Sequence, residues 1–246
     1  MLRANPESTY QEILFGGFSR VDCTVPFLAR AQSMARDASV VLEVGCGRGL
    51  AAEDSCALRR ELRDFRRPGR KVIGIDVDEA ARSNPFIDEF RLIGKDFRWP
   101  VEPNSVSLAF SDYVLEHVLD PEAYFAELSR VLKPGGGFIA RTPSKWSYVS
   151  IAAAMIPNRL HSMVLSRVQE ARKEEDVFPT VYRANTVGTL KRLLARCGLR
   201  SVVFPVEGEP NYMRFSQAAY SLMSRVGPLL PGSMKSTLIV VAIKET

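Results

Sequence analysis

Short apolar runs alternate with helical patterns along most of this chain. Seven of these runs are predicted as strands, at residues 40–44, 71–75, 91–95, 106–110, 137–142, 202–206 and 237–243. Strands that alternate with helices are typical of βαβ units. The pattern therefore predicts an α/β protein built on a mostly parallel sheet.

Two helices have clear boundaries in the sequence. Asp120 and Pro121 suit the N-cap and the first helical position of one helix, which Pro134 and Gly135 are predicted to end. A second helix is predicted from about Thr186, with Gly198 as its C-terminal stop. Both carry apolar residues three and four positions apart, as core-facing helices do.

Charge and cysteine usage narrow the possible functions. The net charge is +5, but basic residues are scattered among acidic ones, which argues against a nucleic-acid partner. The densest basic stretch, residues 59–71, is predicted to be a solvated helix face and turn rather than a phosphate site. The four cysteines form no CxxC pair and there are only two histidines, so no metal site is predicted.

The sequence has no signal-peptide pattern and no apolar run of about 18 residues, so we expect a cytoplasmic protein.

A glycine loop follows the first predicted strand, and Leu50 is predicted to open a helix after it. Gly45, Gly47 and Gly49 come directly after Glu43-Val44, where the chain must turn tightly and could approach a ligand closely. Leu50 stands where a dinucleotide fingerprint needs its third glycine, which disfavours an NAD-type enzyme. A tight turn without any ligand would also use Gly45.

Acidic residues follow the next two strands. Asp76 could accept hydrogen bonds from both hydroxyls of a ribose, or could simply cap a turn. Asp96 and Phe97 could bind an adenine amino group and pack against its ring.

Taken together, these motifs resemble the methyltransferase type 11 family of class I S-adenosylmethionine-dependent methyltransferases, which includes ubiquinone and menaquinone biosynthesis enzymes. The resemblance rests on GCGRG, Asp76, Asp96-Phe97, SDYVLEHV and RVLKPGGGFIARTP in one order, and it covers about residues 40–143. It implies a Rossmann-like, seven-stranded sheet with an antiparallel last strand, helices on both faces, and S-adenosylmethionine as cofactor. The cofactor-binding residues that it implies are Glu43, Gly45, Cys46, Gly47, Gly49, Asp76, Val77, Asp96, Phe97, Ser111 and Asp112.

A single domain is expected for residues 1–246, since chains of this length often form one α/β unit. It would comprise an N-terminal helical extension (1–39), a cofactor-binding core (40–142), a helical lid insertion (143–185) and a C-terminal part (186–246). The last part contains a second insertion, 207–235, which is predicted to complete the core or the acceptor pocket. Peripheral membrane contact through it is the alternative.

Acceptor chemistry is less constrained than cofactor chemistry. A sulfonium is an activated methyl donor, so a base is needed only where the acceptor holds its proton tightly. His117 and His161 are the candidate bases, although His117 could instead support the pocket. Tyr182, Arg183 and Trp146 are predicted to bind the acceptor; alternatively, residues 178–186 only cap a helix and pack under the lid.

The leading hypothesis is methyl transfer to oxygen of a small-molecule, glycan or glycolipid acceptor. The glycan alternative among these rests on FPTxYRxNT at residues 178–186, which resembles methyltransferases found alongside bacterial glycan assembly enzymes. Transfer to nitrogen or carbon, an NAD-type oxidoreductase and a non-catalytic cofactor-binding module stay open. An RNA or protein methyltransferase is disfavoured because neither a basic appended domain nor an NPPY-like motif is present. The sequence predicts no oligomeric state.

Overall fold

The computed structural model describes residues 4–155 and 179–245, and it shows an α/β fold around one twisted sheet. The strands are β1 (Val40–Val44), β2 (Lys71–Asp76), β3 (Glu89–Leu92), β4 (Val106–Asp112), β5 (Leu132–Pro143), β6 (Leu199–Val206) and β7 (Thr237–Lys244). They are ordered β3-β2-β1-β4-β5-β7-β6, and only β7 runs antiparallel to its neighbours. The predicted Rossmann-like fold class is therefore confirmed.

The described helices are α1 (Thr24–Met34), α2 (Ala57–Arg63), α3 (Pro121–Val131), α4 (Tyr148–Met155), α5 (Val187–Arg196) and α6 (Gln217–Val226). Asp120 caps α3 by accepting the Ala123 N–H at 3.0 Å. Thr186 caps α5 by accepting the Thr189 N–H at 3.2 Å. Both N-termini lie where the sequence predicts them.

Several predicted boundaries are wrong. β3 ends at Leu92 rather than at Lys95, and β5 begins at Leu132 rather than at Gly137. The predicted end of α3 at Pro134 is too late, because Leu132 is already extended and pairs with Val106 of β4. The helix predicted to open at Leu50 is only a single 3₁₀ turn, Leu50–Glu53. Asp54 then turns the chain by accepting the Cys56 N–H at 2.8 Å, so that α2 begins later.

Apolar side chains cover both faces of the sheet. One cluster packs Val44, Ile75 and Phe138 of the sheet against α3 and α5. The other packs Phe110 and Ile139 against α1 on the opposite face. Alternate residues of each central strand are therefore buried on opposite sides, as parallel sheets require.

The basic stretch is solvated only in part. Arg66 and Arg67 in the turn after α2 are exposed, as predicted, but the arginines of the helix are not on a solvated face. Arg63 is buried and pairs with Glu43 of β1. Arg59 pairs with Asp22 at 2.6 Å and with Asp54 at 2.7 Å. These arginines join α2 to β1 and to the N-terminal segment. Their positive charges are therefore neutralised by carboxylates within the fold.

The carboxyl edge of the sheet is the edge at which the parallel strands end. Thr237 pairs with both Pro143 and Val206, so the 207–235 insertion joins β6 to β7 at this edge. The insertion packs on the N-terminal segment, where the Ala4 N–H donates to the Arg214 carbonyl at 2.8 Å.

Of the predicted lid, the described part contains α4, whereas His161 lies outside the described residues. Within the described ranges, no helix is long and apolar enough to cross a membrane.

Candidate cofactor and acceptor site

The glycine loop connects β1 to the 3₁₀ turn at the carboxyl edge. Gly45, Gly47 and Gly49 all have positive φ, at +67°, +53° and +74°, a region that side chains disfavour. A Cβ on Gly45 would lie 2.4 Å from Val114, and one on Gly49 would lie 2.5 Å from Pro85. A Cβ on Gly47 would meet nothing within 4 Å. Packing therefore requires the outer two glycines, whereas the middle one faces open space.

Asp76 ends the neighbouring strand β2 and holds the loop. One carboxylate oxygen accepts the Gly47 N–H at 2.9 Å, and the other accepts the Asp78 N–H at 3.0 Å. The side chain is thus oriented as a turn cap would be. Each oxygen of a carboxylate can accept a further hydrogen bond, so this role leaves capacity for a ligand hydroxyl.

Glu43, near the end of β1, is a buried carboxylate with one oxygen unpaired. Its Oε1 accepts from Arg63, whereas Oε2 accepts no hydrogen bond from the described residues. Burial raises the pKa of Glu43, and the positive charge of Arg63 opposes that rise. A buried acceptor without a donor is costly, and a cationic ligand group would supply the donor.

The remaining predicted cofactor residues of the first three strands differ in exposure. Cys46 is buried, and burial raises the pKa of its thiol, so it is not a reactive thiolate. Val77, Asp96 and Phe97 are exposed after β2 and β3. Phe97 has a positive φ of +56°, and its ring is 61% exposed. An exposed aromatic ring at this position has a free face on which a planar ligand could pack.

At the end of β4, the predicted pocket residues are both engaged with neighbours. Ser111 is buried and accepts from the Tyr124 hydroxyl at 3.2 Å. Asp112 binds the guanidinium of Arg141 through both of its oxygens, with Nη2 to Oδ2 at 3.0 Å. Arg141 also donates to Thr24 at 2.7 Å. The Asp112 carboxylate therefore joins β4, β5 and α1 in the structure.

Sequence reasoning missed Arg141, although a signal was present. It is a charged residue inside a strand predicted to be buried, and such residues are almost always paired. The structure shows its guanidinium 4.9 Å from the centre of the Phe27 ring and 4.8 Å from that of Tyr113.

Glu116 and His117 contact the segment that returns from the lid. The Glu116 carboxylate accepts from the Thr142 hydroxyl at 2.9 Å, and Asn185 donates to the same hydroxyl at 2.6 Å. The His117 Nδ1 lies 3.1 Å from the Pro179 carbonyl. A carbonyl only accepts, so Nδ1 carries the proton in this contact. Nε2 lies 3.8 Å from a carboxylate oxygen of Glu116.

The predicted acceptor residues lie around this segment and after β5. Tyr182 is half-buried with φ of +49°, and its N–H donates to the Glu116 carbonyl at 3.2 Å. Arg183 donates to the Leu119 carbonyl at 2.6 Å. Trp146 is 57% exposed, with its ring centre 5.7 Å from the Lys145 ammonium. All three lie at the carboxyl edge of the sheet.

In the part of the chain that the structure describes, other candidate sites are absent or distant from the glycine loop. Within residues 4–155 and 179–245, no group of three His, Cys, Asp or Glu side chains could hold a metal ion. An open groove of about 810 Å³ lies at the amino ends of β1 and β2, next to Ser39 and Arg70. It is at the opposite end of the sheet from the glycine loop.

The fold and the glycine loop together define a nucleotide-binding α/β protein of the Rossmann type. Residues 42–140 match the sequence model of a family described as a methyltransferase domain, type 11. Over this span the chain matches class I S-adenosylmethionine-dependent methyltransferase domains of the type 11 family, which its sequence motifs also resemble.

Curated relatives agree with this assignment. A probable S-adenosylmethionine-dependent methyltransferase of Mycolicibacterium smegmatis is 33% identical over 113 residues, which are 44% of this chain and 39% of the relative. A ubiquinone biosynthesis O-methyltransferase of Pseudomonas savastanoi is 30% identical over 132 residues, which are 49% of this chain and 53% of the relative. The chain thus spans about half or less of the length of these relatives.

Among solved structures, geranyl diphosphate C-methyltransferase from Streptomyces coelicolor matches with a TM-score of 0.53. The match covers 90% of this chain and 78% of that one, at 17% identity. At this identity the likeness shows the shared fold only.

Proposed function

We propose that this protein transfers the methyl group of S-adenosylmethionine to an oxygen of a small-molecule, glycan or glycolipid acceptor. The observation that carries the proposal is the glycine loop, whose middle residue Gly47 faces open space while its N–H donates to Asp76. The match of residues 42–140 to the methyltransferase family model supports the same cofactor.

Three groups of this loop fit the cofactor chemically. The unpaired Oε2 of Glu43 would accept from the cofactor's ammonium group. The open surface at Gly47 would let the ligand approach the backbone. Asp76 would accept the ribose hydroxyls with its remaining lone pairs. When bound, S-adenosylmethionine supplies a sulfonium-activated methyl group.

The protein's own task is then to bind, orient and shield. In-line alignment of the acceptor and exclusion of water account for most of the rate gain when the donor is already activated. Tyr182, Arg183 and Trp146 are the proposed acceptor-binding residues, since they lie at the carboxyl edge. His117 could take the acceptor proton at Nε2 where the acceptor is a weak acid, and could otherwise support the pocket.

Oxygen is the proposed acceptor atom because an aligned curated relative is named as an O-methyltransferase. The same cofactor site would also serve a nitrogen or carbon acceptor. A cytoplasmic location and the lack of a nucleic-acid partner stay predictions from the sequence.

The test is isothermal titration of the purified protein with S-adenosylmethionine, its demethylated product and NADH. Binding of the first two and not of NADH supports the proposal and justifies a screen of sugars, lipids and small phenols as acceptors. Binding of NADH alone would refute it. Binding of S-adenosylmethionine without turnover on any acceptor class would favour a non-catalytic module.

A further inference from the structure

The 207–235 insertion does not bury its apolar residues in the way the sequence predicts. On the inner side of α6, Tyr220 is fully buried, with its ring centre 6.2 Å from that of Tyr10. On the outer side, Leu222 is 61% exposed, and Leu229, just after the helix, is 83% exposed. The insertion is therefore held to the fold by one face and presents a second apolar face to solvent.

Further exposed apolar residues lie beside α6. Phe215 precedes the helix and is 50% exposed. The short turn Gln11–Phe15 packs through Ile13 on the Tyr10 and Tyr220 cluster, and its Phe15 is 88% exposed. Large apolar side chains left in water at one place on a surface mark an interaction site.

The charge of α6 and the residues that flank it is one-sided, and the single carboxylate of the turn Gln11–Phe15, that of Glu12, is paired with Arg20 at 3.1 Å. Residues 210–235 contain no aspartate or glutamate, and they include Arg214, Arg225 and Lys235. Neither Arg214 nor Arg225 forms an ion pair with a carboxylate of the described residues. Exposed apolar side chains beside unpaired cations fit a surface that has an apolar interior and an anionic outer layer. The apolar side chains would enter the interior, and the cations would pair with the anionic layer.

We propose that α6 and the turn Gln11–Phe15 dock this protein on the surface of an anionic phospholipid bilayer. The helix would lie in the plane of the interface, with Leu222 and Leu229 in the acyl boundary and the arginines among the head groups. Anionic lipid repels unpaired carboxylates, so docking on it requires a segment without them. Binding to a protein partner sets no such requirement.

The location of α6 connects this docking to the site. The insertion joins β6 to β7 at the carboxyl edge, where the glycine loop also lies. Docking would bring that edge to the bilayer, where a lipid-linked acceptor would be found. The docking itself does not depend on the proposed methyl transfer.

The test is co-sedimentation with vesicles of phosphatidylglycerol and phosphatidylcholine, with pure phosphatidylcholine vesicles alongside. We expect binding to the anionic vesicles that weakens as salt is raised. Leu222→Ser with Leu229→Ser should weaken it at least about tenfold, because two buried apolar side chains are lost. Arg214→Gln with Arg225→Gln should weaken it about 20-fold or more, at about 1 kcal/mol per cation.

Matched controls come from β6, away from the docking face. Val202 is 61% exposed and Arg200 is also exposed on that strand, so Val202→Ser and Arg200→Gln should leave vesicle binding unchanged. Circular dichroism and thermal unfolding establish that every variant is folded. S-adenosylmethionine titration of the leucine variant separates the two proposals, since cofactor affinity should not change.

Three results would overturn the inference. The first is that the protein does not bind anionic vesicles, and the second is that it binds phosphatidylcholine vesicles equally well. The third is that the leucine and arginine variants lose no more vesicle binding than the β6 control variants. Self-association of the wild type in the absence of lipid that the leucine variant abolishes would also overturn it, because the face would then be covered by a second copy.

Discussion

Gly47→Ala tests whether the open space above the glycine loop belongs to the cofactor. Gly47 has φ of +53° and no atom within 4 Å of an added Cβ, so the substitution causes backbone strain without a clash. Gly69, in the turn before β2, has φ of +77° and the same open surroundings, at the other end of the sheet. Gly69→Ala is therefore a matched control for the strain alone.

Both variants should lose about 1–2 kcal/mol of unfolding free energy, the cost of a side chain in the left-handed region. For a chain of this size that lowers the midpoint of thermal unfolding by about 2–4 °C per kcal/mol. Only Gly47→Ala should weaken S-adenosylmethionine binding, because its methyl group would enter the ligand's space. Overpacking of about 1–3 kcal/mol corresponds to about 5- to 150-fold in affinity.

Calorimetric titration and thermal unfolding of both variants measure these two effects separately. If Gly47→Ala binds S-adenosylmethionine as tightly as the wild type while losing stability, the ligand does not approach the loop at Gly47. If Gly69→Ala loses the same affinity, the effect is one of stability and not of contact.

Asp76→Ala should weaken S-adenosylmethionine binding by about 10- to 150-fold in the same titration, since hydrogen bonds to a charged group contribute about 1.5–3 kcal/mol; unchanged affinity would contradict a ribose-binding role. His117→Ala should reduce turnover of an acceptor found by screening by less than about a hundredfold, and a greater loss with intact cofactor binding would identify His117 as the base. Arg141→Met should cost about 3 kcal/mol in urea unfolding, because the Asp112 side chain, only 17% exposed, loses its guanidinium partner. Arg82→Met, which breaks an exposed ion pair, should cost less than about 1 kcal/mol, and equal losses would mean that the Arg141 pair is effectively solvated.

Much of the fold could be predicted from local sequence. The N-termini of α3 and α5 follow from Asp120 and Thr186, whose side chains cap the first turns. The central strands follow from unbroken apolar runs, since a strand buried on both faces needs no alternation. The end of α3 could not be predicted this way, because pairing of Leu132 with Val106 depends on a distant strand.

The candidate site also has features that local sequence predicts and features that it does not. The glycine spacing and the position of Asp76 after β2 are features of the chain itself, and the structure brings them together because parallel strands end at one edge. The partner of Asp112 could not be known, since Arg141 meets it only when β4 and β5 pair.

By itself, the sequence determined the class of fold, the order of strands and helices along the chain, and the motifs that match the methyltransferase family model over residues 42–140. These depend on periodicity, caps and short motifs, which act between residues close along the chain. Tertiary structure alone decided which charges are buried in pairs, as Arg63 is with Glu43, and which face of α6 is left in water. The physical reason is that burial and charge pairing are set by residues distant in sequence, which only the packed sheet brings into contact.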